Sequence, residues 1–285
     1  MSEEKTIKAY KAFNKDMTCN GFQYEVGKEY NMDGKIECCR RGFHACELPA
    51  DVFKYYEIYG SRFAEVELSG ITDWHEGYDS KICASRIKIV KELTLSEMVE
   101  ASIILLKNKI THHNPIRYQG TKYHQIYSVA DDKRLVSPTK YSTILSLGKR
   151  SVIDSNGDES TIVTTGEHAK ITTAIGNYVT VLSSGDKSSI RLSGLFPTVV
   201  STGNCSRIFS SAEYSSIACE GEKADIVCAC HYGSVVKAKV GSRITIVLND
   251  AIDRHIPSVT EIVDGERIKG DTWYKIYPNG ELEEI

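Results

Sequence analysis

Three kinds of segment are missing from this 285-residue chain. No run of eighteen apolar residues occurs, so no membrane-spanning helix is expected. The N-terminal stretch MSEEKTIKAY is charged and holds no apolar core, so it does not read as a secretory signal. Charge of one sign is also missing. Lys and Arg number 35 against 38 Asp and Glu, and a net charge of −3 gives no reason to expect nucleic acid as the main partner. The nine cysteines form an odd set without framework spacing, which together with the missing signal predicts reduced thiols in a cytosol. The length suits one large or two ordinary domains.

What is present is a repeat. Branched aliphatics stand at Ile144, Ile153, Ile162, Ile171, Val181, Ile190, Val199, Ile208, Ile217, Ile226, Val235 and Ile244, every step nine except the ten between Ile171 and Val181. A glycine follows four residues later in most repeats, as at Gly148, Gly157, Gly166, Gly185, Gly203 and Gly221. Small residues lie two positions either side of the aliphatic, as in SVIDS and SSIAC. Residues two apart share a strand face. Small–x–Ile–x–small therefore turns three side chains inward, and the glycine is expected to supply a tight turn at positive φ. The pattern predicts a thin β-solenoid in which two nonapeptides make one flattened coil of about 18 residues. Twelve repeats give about six coils, stacked at roughly 4.8 Å each. The residue after glycine varies (Lys149, Asp158, Glu167, Asn177, Asp186, Leu195), so no calcium ligand set repeats.

Alternate repeats face opposite sides. One side carries the outward pairs Thr143/Leu145, Thr161/Val163, Thr180/Leu182, Thr198/Val200, Ser216/Ala218 and Ser234/Val236, a ladder without charge. The other carries Val152/Asp154, Lys170/Thr172, Ser189/Arg191, Arg207/Phe209, Asp225/Val227 and Arg243/Thr245. A continuous apolar strip usually finds a cover. The uncharged side is expected to pack on the N-terminal domain or on a second subunit, making a homo-oligomer. The competing reading is an exposed sheet chosen for strand propensity. The basic residues of the other side are broken by Asp154 and Asp225, so a nucleic-acid track is not expected. Cys219 and Cys228 occupy inward small positions and read as packing residues.

The fold class predicted is an α+β N-terminal domain over residues 1–92, a helix and linker over 93–141, the β-solenoid over 142–250, and a C-terminal capping hairpin within 251–285. In the head, PADVFKYYEIYG reads as helical with Pro49 at its start. TLSEMVEASIILLKNK opens on a capping box, Thr94 and Glu97, which predicts a helix over 95–108. DTWYKIYPNGELEEI reads as a hairpin that caps the open end of the rod.

The string KAYKAFNKDMTCNGFQYEVGKEY, followed by GFHACELPADVFKYY and SRFAEVELSG, resembles an uncharacterised domain carried by many bacteriophage and prophage proteins. The resemblance covers roughly residues 7–90. It implies a mobile genetic element acting in a bacterial cytosol, with a host or viral protein as partner. A non-enzymatic interaction module, for instance an inhibitor of a bacterial defence system, fits that setting.

The order of segments is also similar to that of ADP-ribosyltransferases. That resemblance implies NAD as cofactor, with Glu67 of the Glu65-x-Glu67 strand orienting the ribose and His44 or Tyr10 touching the cofactor. Lys8 or Tyr10 stands where such enzymes carry Arg or His, and no Ser-Thr-Ser strand is visible. Cys38, Cys39, His44 and Cys46, with Cys19 upstream, gather soft ligands but lack two spaced Cys pairs, so core packing is the reading and no metal is expected. His112, His113 and His124 lie in a polar segment where no pattern orients them. The sequence therefore leaves two functions open, an interaction module without cofactor and a transferase-like enzyme using NAD.

Overall fold

The structure is a computed structural model that describes residues 6–75, 77, 79–111, 125–229, 233–247, 258–277 and 279–285. The chain forms two compact units, Met1–Tyr123 and His124–Ile285.

The first unit is a sheet-rich head with one α-helix. Its strands are β1 (Ile7–Asn14), β2 (Thr18–Cys19), β3 (Phe22–Gln23), β4 (Glu29–Asn31), β5 (Phe43–Cys46), β6 (Ser61–Trp74) and β7 (Lys81–Leu93). Among its described residues all strand pairings are antiparallel: β1 with β5 and β6, β2 with β3, and β7 with β4, β5 and β6. The circuit β1–β6–β7–β5–β1 thus closes on itself. Period-two alternation turns Ala9 and Phe13, Phe43 and Ala45, Ala64, Val66 and Leu68, and Ile82 and Ala84 into one buried core. The closure is tight on one side and loose on the other. β1 pairs with β6 over its whole length, but with β5 only at Tyr10↔Cys46.

Pro49 starts a 3-10 helix, Pro49–Lys54, as its fixed φ favours. The capping box is formed. The Thr94 amide donates to Glu97 Oε2 at 2.8 Å and the Glu97 amide to Thr94 Oγ1 at 3.2 Å, and helix α1 runs Leu95–Thr111.

The second unit is the predicted solenoid, longer by one coil. Its first strands are Gln125–Ser128 and Arg134–Ser137, so Ile126 and Leu135 extend the ninefold series upstream of Ile144. Two parallel sheets of seven strands each give about seven coils of about 18 residues from residue 125 on. The aliphatics stack in register inside, from Ile144↔Ile162 to Ile226↔Ile244. Each is shielded from water, which stabilises by roughly 1.5–3 kcal/mol per side chain.

Two expectations need correction. The first concerns the glycines. Most do not adopt positive φ; that conformation falls two residues later, at Arg150, Glu159, His168, Tyr178, Lys187, Phe196, Cys205 and Lys223, and at Tyr214 two residues after Ala212. The glycines are required for clearance. A Cβ on Gly166 would lie 1.9 Å from Gly148 O, on Gly185 2.1 Å from Gly166 O, and on Gly221 2.1 Å from Gly203 O. Each glycine presses on the backbone of the coil before it. In the first coil the equivalent positions hold Ala130 and Thr139.

The second correction concerns register at the last coil. Ile217 pairs with Val236 and Ser216 with Val235, so the inward aliphatic is Val236, and Ser234 and Val236 leave the outward ladder in favour of Val235 and Lys237. A step of ten (Ile226 to Val236) followed by one of eight (to Ile244) keeps the opposite sheet in phase. A nine-residue count cannot register an extra corner residue that is repaid in the next repeat.

The hydroxyls at strand edges close the corners. Ser151, Ser160, Ser188 and Ser206 donate to the carbonyls of Gly148, Gly157, Gly185 and Gly203 at 2.8–3.0 Å. The acidic and amide residues after the glycines are inter-coil caps. Asp186 Oδ1 accepts from the Asn204 amide at 2.7 Å, and Asn204 Oδ1 from the Glu222 amide at 2.9 Å. At the far end both sheets finish in antiparallel strands: Ser258–Ile262 beside Arg243–Val247, and the hairpin Trp273–Ile276 with Leu282–Glu284 beside Val235–Ala238. Pro278 of the predicted turn lies outside the described residues.

Candidate functional site

The loose seam between β1 and β5 decides where the head opens. Past Tyr10↔Cys46 the two strands no longer pair, and a cavity of about 490 Å³ occupies the gap. That volume lies within the range of small-molecule sites. Where a ladder would have satisfied the His44 carbonyl, the Lys11 ammonium does so, donating to His44 O at 3.0 Å and to Cys19 Sγ at 3.4 Å.

Lys11 is a cation on the inward face of β1, between Ala9 and Phe13, and only 6% exposed. Burial holds its pKa below the usual lysine range. Its charge lies 5.5 Å from the Phe13 ring centre and 5.7 Å from that of Tyr24. Two of its three donors are engaged by His44 and Cys19, which leaves one for a ligand.

The walls are aromatic and hydroxylic. Phe22 packs edge-on against Tyr24 at 4.8 Å and against Tyr30 at 5.2 Å. Tyr56 Oη lies 2.9 Å from Cys19 Sγ. Burial pushes the Tyr24 and Tyr56 phenols up, so both stay protonated. A second cation, Lys81, sits 4.1 Å from the centre of the Tyr55 ring, and the Tyr55 hydroxyl is hydrogen-bonded to Asp79. The 3-10 helix that carries Val52 and leads into Tyr55 and Tyr56 is anchored by a buried network. Asp51 Oδ2 accepts from the Ser80 amide at 2.9 Å and from Ser80 Oγ at 2.7 Å, and Asp51 Oδ1 meets Lys54 Nζ at 2.8 Å.

His44 and Tyr10 line this cavity; Glu65 and Glu67 do not. Glu65 pairs with Lys8 at 2.9 Å and Glu67 with Lys88 at 3.8 Å. The structure thus brings His44 and Tyr10 together and places the two glutamates on the outward face of β6. Cys19 and Cys46 are buried cysteines on the cavity wall, and Cys39 is exposed. His112, His113 and His124 lie outside the described residues.

The uncharged side of the solenoid is shielded from water. Thr143, Leu145, Thr161, Val163, Thr180, Leu182, Thr198, Val200, Ser216 and Ala218 are all shielded, although none of the apolar ones belongs to the inner core. Lys170, Arg191, Arg207 and Arg243 on the other side are exposed, and Arg243 is paired with Asp225 at 2.7 Å.

Sequence reasoning passed over Lys11, Lys81 and Tyr56. For Lys11 a signal existed: the alternation in KAYKAF puts a lysine on the face that also carries Ala9 and Phe13. Nothing local marks Lys81 or Tyr56, which reach the cavity through pairings distant in sequence.

Residues 7–101 match the model of a domain of unknown function, DUF7666. The match spans β1 to the first turns of α1, about a third of the chain, and holds the whole cavity lining. No curated protein matches the chain, and no solved structure does. Among the described residues no helix is long and apolar enough to cross a membrane.

Proposed function

We propose that the head is a non-enzymatic binding domain for a compact anion bearing a planar ring, and that the solenoid is a rigid scaffold through which the chain engages a protein partner. One observation carries the first half: a buried lysine with a donor to spare lines a cavity walled by Phe22, Tyr24 and Tyr56. The ammonium supplies charge in a low-dielectric site, where a carboxylate or phosphate gains most from it. The rings offer faces and edges to a planar group. The second half rests on the phage or prophage setting that the N-terminal resemblance implies. In that setting the partner is a host or viral protein of the bacterial cytosol, a component of a defence system being the concrete case.

Calorimetric titration with benzoate, adenosine monophosphate and NAD tests the ligand class. The reading expects one of these ring-bearing anions to bind, with at least a tenfold loss of affinity in Lys11→Met. Silence across the set, or equal affinity in the variant, sinks it. The transferase-like reading draws on the presence of His44 and Tyr10 in the same cavity. Stabilisation by NAD that Glu67→Ala abolishes would favour that alternative.

A further inference from the structure

Three potential ligand atoms meet on the head where the sequence shows only scattered cysteines. His44 on β5 stands directly opposite Cys83 on β7, and Cys83 directly opposite Asp73 on β6, so the three residues form a row across neighbouring strands. Cys38 joins them from the turn closed by the Glu37↔Arg41 bridge. Its amide donates to Asp73 Oδ2 at 2.8 Å, which pins the turn to the row. One ligand atom each from Cys38, His44 and Cys83 lies within 4.8 Å of the other two.

Space for the cluster is kept by Gly42 at φ +141°. A Cβ there would come within 3.1 Å of Cys83 Cβ and 3.2 Å of Cys83 Sγ. Cys83 is buried, while Cys38 and His44 are half-buried, so an ion has a way in. A hydrogen bond between the two thiols pulls the Cys83 pKa down and pushes that of Cys38 up.

We infer that Cys38, His44 and Cys83 form a binding site for one zinc-class divalent cation. Two thiolates and an imidazole suit a borderline-soft, tetrahedral ion. With metal–sulfur bonds of about 2.3 Å and a metal–nitrogen bond of about 2.1 Å, ligand atoms sit roughly 3.5–3.8 Å apart. From separations of 4.8 Å or less the cluster reaches that spacing by contracting by no more than roughly 1.3 Å. Loading displaces the two thiol protons to solvent. Three protein ligands leave the fourth position to water, the pattern of sites that exchange a ligand rather than only brace a fold. Asp73 acts on the turn that carries Cys38. This site shares His44 with the wall of the lysine-lined cavity, but its argument does not depend on the function proposed for that cavity.

The test is a cobalt(II) titration of the reduced, chelator-treated full-length protein. One equivalent is expected to produce thiolate-to-cobalt charge transfer, bleached by one equivalent of zinc. Cys38→Ser and Cys83→Ser are each expected to lose most of that absorption and at least tenfold in affinity. Cys205→Ser, an exposed thiol of the solenoid, should leave both unchanged. Folding of the variants is not a prerequisite, because the parent must also melt higher with zinc than with chelator. No charge transfer at one equivalent, equal absorption in both serine variants, or identical melting of the parent with and without zinc overturns the inference. So does a Cys38–Cys83 disulfide found by peptide mapping of the unreduced protein, if cobalt uptake stays absent after reduction.

Discussion

The head and the solenoid both bury polar groups, and they satisfy them in different ways. In the solenoid the Ser188 hydroxyl donates to Gly185 O, and the same bond recurs at Ser151, Ser160 and Ser206. In the head the Lys11 ammonium donates to His44 O once, at the single place where β1 leaves β5. Repetition makes each solenoid bond one of a series, whose loss is shared by a stack of similar neighbours. Among the described residues of the head the contact from Lys11 to a strand carbonyl does not recur. That uniqueness concentrates chemistry there, since a cavity needs a gap in the pairing and a periodic stack leaves none.

The comparison breaks most sharply at a glycine. Gly166→Val puts a Cβ 1.9 Å from a backbone oxygen that has no flexible side chain to yield. We expect a loss of about 4 kcal/mol or more, read as a lower urea midpoint for the solenoid. A drop below about 1 kcal/mol would show that coils slide to make room. Next is Val163→Asp, which places a carboxylate at a fully buried position. It should cost about 3 kcal/mol without altering the mass measured by light scattering. A fall in mass would instead identify that strip as a seam between copies.

The smallest effect belongs to the head. Burial lowers the Lys11 pKa from the ordinary lysine value of 10.5, so folding disfavours its ammonium. That penalty is complete below the folded pKa and vanishes as pH rises to 10.5. Stability should therefore climb with pH across that window, by at most about 1.4 kcal/mol per unit. Lys11→Met should flatten the climb in denaturant titrations run at several pH values. An unchanged slope would mean that water reaches the ammonium.

The same contrast explains what could be read in advance. The solenoid was legible because its physics is local: every nine residues the chain repeats one turn, and Ile153, Ile171 and Ile190 declare it. Its first coil was missed because Ile126 and Leu135 stand in a polar setting without the glycine, which is unnecessary where no coil lies beneath. The shift at Val236 was missed because two steps of ten and eight sum like two of nine. In the head, the capping box at Thr94 and Glu97 was visible because its partners are three residues apart. Cys83 was not visible as a companion of His44, since strand register alone brings them face to face across 39 residues of chain.

Ala130 and Thr139 give the rod a direction. The coils from Gly148 to Gly221 each bare a glycine toward the one before, so another turn can be laid on top. The two methyl-bearing residues of the first coil deny that courtesy to anything approaching from below. A second rod docking its parallel edges there would meet side chains at both corners, where the coils above mostly present bare backbone.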